Sequence, residues 1–214
     1  MTAAYDLFLH ELGATGREYG DGFSIGNLLQ LTPQERERTR QALIECIRRG
    51  EARALKPLTV VAPGPDTVTL LESLWQTSSQ QDPPEEFDVE VAAALARLTD
   101  ASDALDFLEQ AAIHLDDTWT QGAALDGLVS AGVDSNASAR LARCIRQAAD
   151  EDTRLSCADS LLQRHGWQIE DPALQDETLA LLKALVSEQP ADRDAALLRV
   201  LKAPARPWPW VVQP

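Results

Sequence analysis

The sequence predicts an all-α protein in which antiparallel helix pairs stack side by side. Two observations carry this. From about Pro65 onward, apolar residues recur at three- and four-residue intervals in segments of roughly 12 to 17 residues separated by short turns, while nothing alternates with a period of two. The segments also come in pairs that resemble one another at fixed offsets, and one such pair cannot bury its apolar face without a neighbour.

Taken in order, residues 3 to 12 suit a short helix, followed by a stretch rich in glycine (Gly13, Gly16, Gly20, Gly22, Gly26). No Gly-Lys-Ser/Thr follows these glycines, and Glu18 and Asp21 would repel a phosphate, so a flexible surface loop is expected there. A long helix should run from Pro33 to Arg49, because Thr32, Pro33 and Glu35 supply an N-cap, a first-turn proline and a capping-box acid. Its arginines interleave with glutamates, which indicates intrahelical ion pairs. Gly64-Pro65-Asp66 and Asp171-Pro172 are similar helix openings.

After Asp100, Ala101, Ala104, Leu105, Leu108, Ala111, Ala112 and Leu115 form one stripe, with Asp103, Asp106 and Glu109 expected on the outer side. The helix after Ser135 repeats the design with Ala137, Leu141, Cys144, Ile145 and Ala148, and the one after Asp152 with Leu155, Ala158, Leu161 and Leu162. His165-Gly166 fits a helix C-terminus. Prolines recurring from Ala203 onward exclude helix, so Trp208 and Trp210 should lie on an extended tail that covers the end of the last helix pair. Three stretches result: a helical segment with a glycine-rich loop (1–64), helical repeats (65–202) and a Pro/Trp-rich extended tail (203–214).

A shift of 33 places Leu108, Ala111, Ala112, Leu128 and Val129 over Leu141, Cys144, Ile145, Leu161 and Leu162. A shift of 37 carries Cys144, Ile145, Ala158 and Leu161 onto Leu181, Leu182, Ala195 and Leu198, and backward carries Leu108 and Ala111 onto Leu71 and Leu74. With these offsets, residues 65–202 resemble the HEAT-like family of helical repeats. The tetratricopeptide and ankyrin signatures are absent. The resemblance implies a short α-solenoid; because the units are shorter than typical HEAT units, an irregular helical bundle is the alternative.

With 214 residues and 44% hydrophobic side chains the chain can bury a sizeable core. The N-terminal residues lack a secretory pattern and no run of eighteen apolar residues occurs, so a cytoplasmic location is expected. Cys46, Cys144 and Cys157 lack zinc spacing and read as reduced core thiols.

The net charge of −15 is concentrated: between Gln81 and Asp126 twelve acidic residues face a single Arg97, whereas each flank carries only −2. Such a balance disfavours nucleic acid and anionic membranes and favours a basic protein surface. The candidate contact residues are Glu85, Glu86, Asp88, Glu90, Asp103, Asp106, Asp116 and Asp117 for steering, with Phe107 or Trp119 as anchor. No catalytic, metal or cofactor site is expected. The nearest alternative places His114 beside Asp116 and Asp117, or Trp167 near His165, in an enzyme or enzyme subunit, since some HEAT-like proteins resemble lyases or glycosylases. An assembly scaffold is a third reading. In size and acidity the chain looks like the immunity proteins of bacterial toxin systems, which implies a protein-binding module that docks on a basic partner, such as a toxin domain.

Overall fold

A computed structural model describes residues 1–20, 22–79, 83–115 and 117–207; Asp21, Asp82, Asp116, Trp208 and Trp210 lie outside the described residues. The chain is all-α, with no strand among the described residues. Its helices are α1 (Ala3–Leu12), α2 (Arg17–Gly20), α3 (Ile25–Leu28), α4 (Pro33–Arg48), α5 (Leu55–Val61), α6 (Pro65–Ser78), α7 (Glu86–Leu98), α8 (Ser102–His114), α9 (Thr118–Ser130), α10 (Ala137–Gln147), α11 (Glu151–Arg164), α12 (Gln175–Leu185) and α13 (Pro190–Val200). One hydrophobic core runs from Ala4 in α1 to Val200 in α13.

Two layers emerge from the packing. In one, α5, α7, α9 and α11 lie against each other in succession; in the other, α8 packs on α10, and from α6 to α13 each helix also touches the next in sequence. The offset of 33 lays α8 and α9 over α10 and α11. At the C-terminal end the order changes: α12 packs on α11 and α13, while α13 reaches α10. The centre of the stack is α7, in which Val89 and every residue from Val91 to Ala96 are buried, as expected of a helix surrounded by protein. Its small side chains admit α9 closely. A β-carbon on Gly127 would lie 2.7 Å from the Ala93 β-carbon and 3.1 Å from the Ala93 α-carbon.

The N-terminal segment is fastened by polar contacts. Thr32 and Glu35 form the capping box expected for α4, and Glu35 also accepts from the Thr2 amide (2.8 Å) and hydroxyl (3.1 Å), so one carboxylate serves the starts of α1 and α4. These donors, the Thr2 amide foremost, lower its carboxyl to about 2. A depressed carboxyl stabilises the fold above its ordinary value of 4.5 and loses that contribution as pH falls towards 2. In acid titrations followed by circular dichroism, Glu35→Gln should flatten the loss of stability between about pH 4.5 and 2 relative to the parent; parallel curves would refute this.

The glycine-rich stretch, expected as a flexible loop, is pinned at several points. The Arg53 guanidinium lies 3.8 Å from the Tyr19 ring centre and 4.9 Å from that of Phe23, and donates to the carbonyls of Glu11 and Leu12. Phe23 stacks on Phe8, and the Ser24 amide and hydroxyl donate to Glu11. In α4, Arg40 pairs with Glu37 and Arg48 with Glu45, as its alternating charges suggest.

Three further expectations need correction. Glu109 is buried rather than outward, gripped by Arg143 through two bonds of 2.7 and 2.6 Å. Leu155 is 41% exposed, because the buried stripe of α11 runs through Cys157, Leu161 and Arg164 and leaves Leu155 beyond its edge. At Asp171-Pro172 the chain makes a turn, with Asp171 accepting from the Ala173 amide, and α12 starts only at Gln175.

Gly166 has φ +83°, the left-handed turn expected after α11. His165 is buried rather than a solvated cation: its ring bonds the Ala203 carbonyl (2.7 Å) and the Ser138 hydroxyl (2.9 Å), and burial lowers its pKa. The Arg206 amide donates to the Arg164 carbonyl, so the described part of the tail folds back on the end of α11. All three cysteines are buried free thiols.

Candidate functional site

The fold separates the acidic residues that the sequence groups together. Glu85 and Asp117 are helix N-caps: Glu85 exchanges bonds with Asp88 at the start of α7, and Asp117 accepts from the Thr120 hydroxyl (2.5 Å) and amide (2.8 Å) at the start of α9, which lowers its carboxyl. Asp103 and Asp106 lie on α8, in the other layer. The first accepts from the Trp75 indole N–H (2.9 Å), and the second pairs with Arg140 (2.6 Å). Phe107 is half-buried, edge-on to Trp75 at 5.1 Å, and is part of the α6–α8 contact rather than an exposed anchor. Among the described candidates, Glu86, Glu90 and Trp119 come together around one hollow, on the layer of α5, α7 and α9.

Charge counted along the chain is therefore different from charge across the fold. Arg140 and Arg143 of α10 reach Asp106 and Glu109, while Lys56 of α5 and Arg97 of α7 both reach Asp126 of α9. Lys56 Nζ donates to both Asp126 oxygens (2.9 and 2.8 Å), Arg97 Nη2 donates at 2.7 Å, and Arg97 Nη1 lies 3.8 Å from Glu90. Burial alone would raise Asp126, but these two cations more than offset it and hold its carboxyl low. Burial raises Glu90, with Arg97 only partly opposing it.

Beside this cluster, between α9 and α11, runs a groove of about 620 Å³. Asp126, Asp150, Asp152 and Asp159 line it with threonine, serine and glutamine side chains, and among the described residues no lysine or arginine does. Burial raises Asp159, and Asp150 is lowered by the Thr153 amide and hydroxyl, which it caps. A second hollow of about 430 Å³ adjoins the groove, sharing Thr118, Gly122 and Asp126 with it; Phe23, Ile25, Pro57, Trp119 and Ala123 form its apolar walls. Trp119 is 65% exposed, and its indole N–H approaches Glu86 at 3.4 Å.

Sequence reasoning missed the groove because Asp150, Asp152 and Asp159 lie outside the acidic block. A signal was present: Asp117-x-x-Thr120 recurs 33 residues later as Asp150-x-x-Thr153, the same cap on α9 and on α11, and it marks both walls. His114 is exposed at the end of α8, and Asp117 is occupied as a cap. Among the described residues no group of three or more His, Cys, Asp or Glu side chains is arranged to hold a metal ion, and no helix is long and apolar enough to cross a membrane.

These features define an all-α protein with an acidic groove and an adjoining aromatic hollow on one helix layer. Compared with protein-family models, with curated proteins and with solved structures, the chain matches none.

Proposed function

We propose that the chain is a protein-binding module that docks its α5–α7–α9–α11 face on a basic surface of a partner protein. The observation that carries this reading is the groove between α9 and α11: Asp150, Asp152 and Asp159 line it beside Asp126, which Lys56 and Arg97 already match, and among the described residues no lysine or arginine lines it. Such a surface raises the encounter rate with a cationic protein and rejects polyanions. It differs from the surface expected from the sequence block, since Asp103 and Asp106 belong to the other layer and Asp106 is already matched by Arg140.

In the test, the immobilised chain and its Glu86→Lys/Asp152→Lys variant are exposed to native lysate at rising salt, and the retained proteins are identified by mass spectrometry. A basic protein should be held by the parent at low salt, released as salt rises, and lost by the variant. Equal retention by both chains would refute the proposal. Assaying the captured protein with and without the chain then separates inhibition, the case of a neutralised toxin, from scaffolding.

A further inference from the structure

We infer that the hollow between α5, α7 and α9, walled by Trp119, receives an arginine side chain of the partner. This rests on the protein-binding reading and specifies its anchor. The hollow combines apolar walls with a few convergent charged groups and falls within the range of about 300–1,000 Å³ usual for ligand pockets.

Its own cations are occupied. Arg53 lies over the Tyr19 and Phe23 rings and donates to main-chain carbonyls, and Lys56 donates to both oxygens of Asp126. Glu86 retains acceptor capacity, since it makes one long bond, to the Trp119 indole; Glu90 Oε2 accepts no hydrogen bond but is buried behind it, with Arg97 at 3.8 Å.

With Arg53 and Lys56 engaged and Asp126 already matched by Lys56 and Arg97, Glu86 is the hollow's accessible carboxylate and favours a cationic occupant. The exposed indole beside Glu86 selects among cations. A planar guanidinium stacks on an indole face while forking to a carboxylate at its edge, which a lysine ammonium cannot do. The arginine's aliphatic stem would lie along Pro57, Ile25 and Ala123. Because the hollow and the groove share Thr118, Gly122 and Asp126, the partner's chain can continue from the anchor along the aspartates.

The test is fluorescence anisotropy at low salt with labelled penta-arginine and penta-lysine peptides. They are titrated with the full chain and with Trp119→Ala, Glu86→Gln and, as a control on the other layer, Asp103→Asn/Asp106→Asn. The arginine peptide should bind more tightly than the lysine peptide. Trp119→Ala should weaken it about tenfold and erase the difference between peptides, Glu86→Gln should weaken it about threefold, and the control should change it less than about twofold. Unchanged thermal melts would show that all variants fold; Trp119 is exposed, so its removal leaves the core intact.

If Trp119→Ala loses no more than the control, the inference is overturned. A large loss confined to the control would overturn both the anchor and the docking face proposed above, and would place binding on the α8 surface. If neither peptide binds the parent chain, both fall.

Discussion

Replacing Arg164 by methionine is expected to destabilise the chain by about 3 kcal/mol or more in urea denaturation. Arg164 is fully buried in the last turn of α11 and faces no carboxylate. Its guanidinium instead donates to the carbonyls of Leu128 (3.3 Å), Val129 (2.9 Å), Ala131 (2.7 Å) and Gly132 (2.7 Å), closing the C-terminal end of α9, and to the hydroxyls of Ser138 and Ser135. Burial lowers its pKa from 12.5 to about 10, roughly 3 kcal/mol against the charged form. Against that, methionine strands up to three buried carbonyls, those of Leu128, Val129 and Ala131, at about 1–3 kcal/mol each, while the Gly132 carbonyl keeps the Ser135 amide and hydroxyl, so the stranded acceptors dominate. Arg164→Lys should restore only part of the loss, since one ammonium cannot span the carbonyls and both serines. A loss below about 1 kcal/mol for the methionine variant would mean that water or a local shift satisfies the end of α9.

The second large effect is at the crossing of α7 and α9. Gly127→Ala gains about 1 kcal/mol of helix propensity, but its β-carbon would lie 2.7 Å from the Ala93 β-carbon and 3.0 Å from Leu108 Cδ1. With the Ala93 α-carbon at 3.1 Å the obstacle includes backbone, so α7 must shift, and overpacking of this kind costs about 1–3 kcal/mol. A net loss of up to about 2 kcal/mol is expected. Gly122→Ala, five residues earlier in the same helix, meets nothing within 4 Å and should instead gain about 0.5–1 kcal/mol. Thermal melts of the two variants should move in opposite directions, and a shared direction would show that propensity alone decides both.

The helices were legible where local signals and burial agree. The Thr32–Glu35 box and the apolar stripes of α8 and α10 appear in the structure. Errors arose where a charged residue occupies a buried helical position. Glu109 follows Leu105 by four and precedes Ala112 by three; Arg164 follows Cys157 and Leu161 at the same spacing. Periodicity thus places both on the apolar stripe, but the charge of Glu109 suggested solvent, and Arg164 carried no signal of its own. The grouping of the candidate site residues differs in the fold for a related reason. A tally along the chain leaves out Lys56, Arg140 and Arg143, which arrive from other helices, and it cannot show that α8 and α9 belong to different layers. Of the candidates, Glu86, Glu90 and Trp119 share a face, and Asp103, Asp106 and Phe107 do not.

The ion cluster of Lys56, Arg97 and Asp126 joins α5, α7 and α9 at a single point beneath the groove. A floor cross-linked in this way already has its shape in the free molecule. For a partner docking as proposed, the entropy of association would then fall mainly on the incoming segment, and the speed of capture would be set by diffusion and charge rather than by rearrangement of the helices.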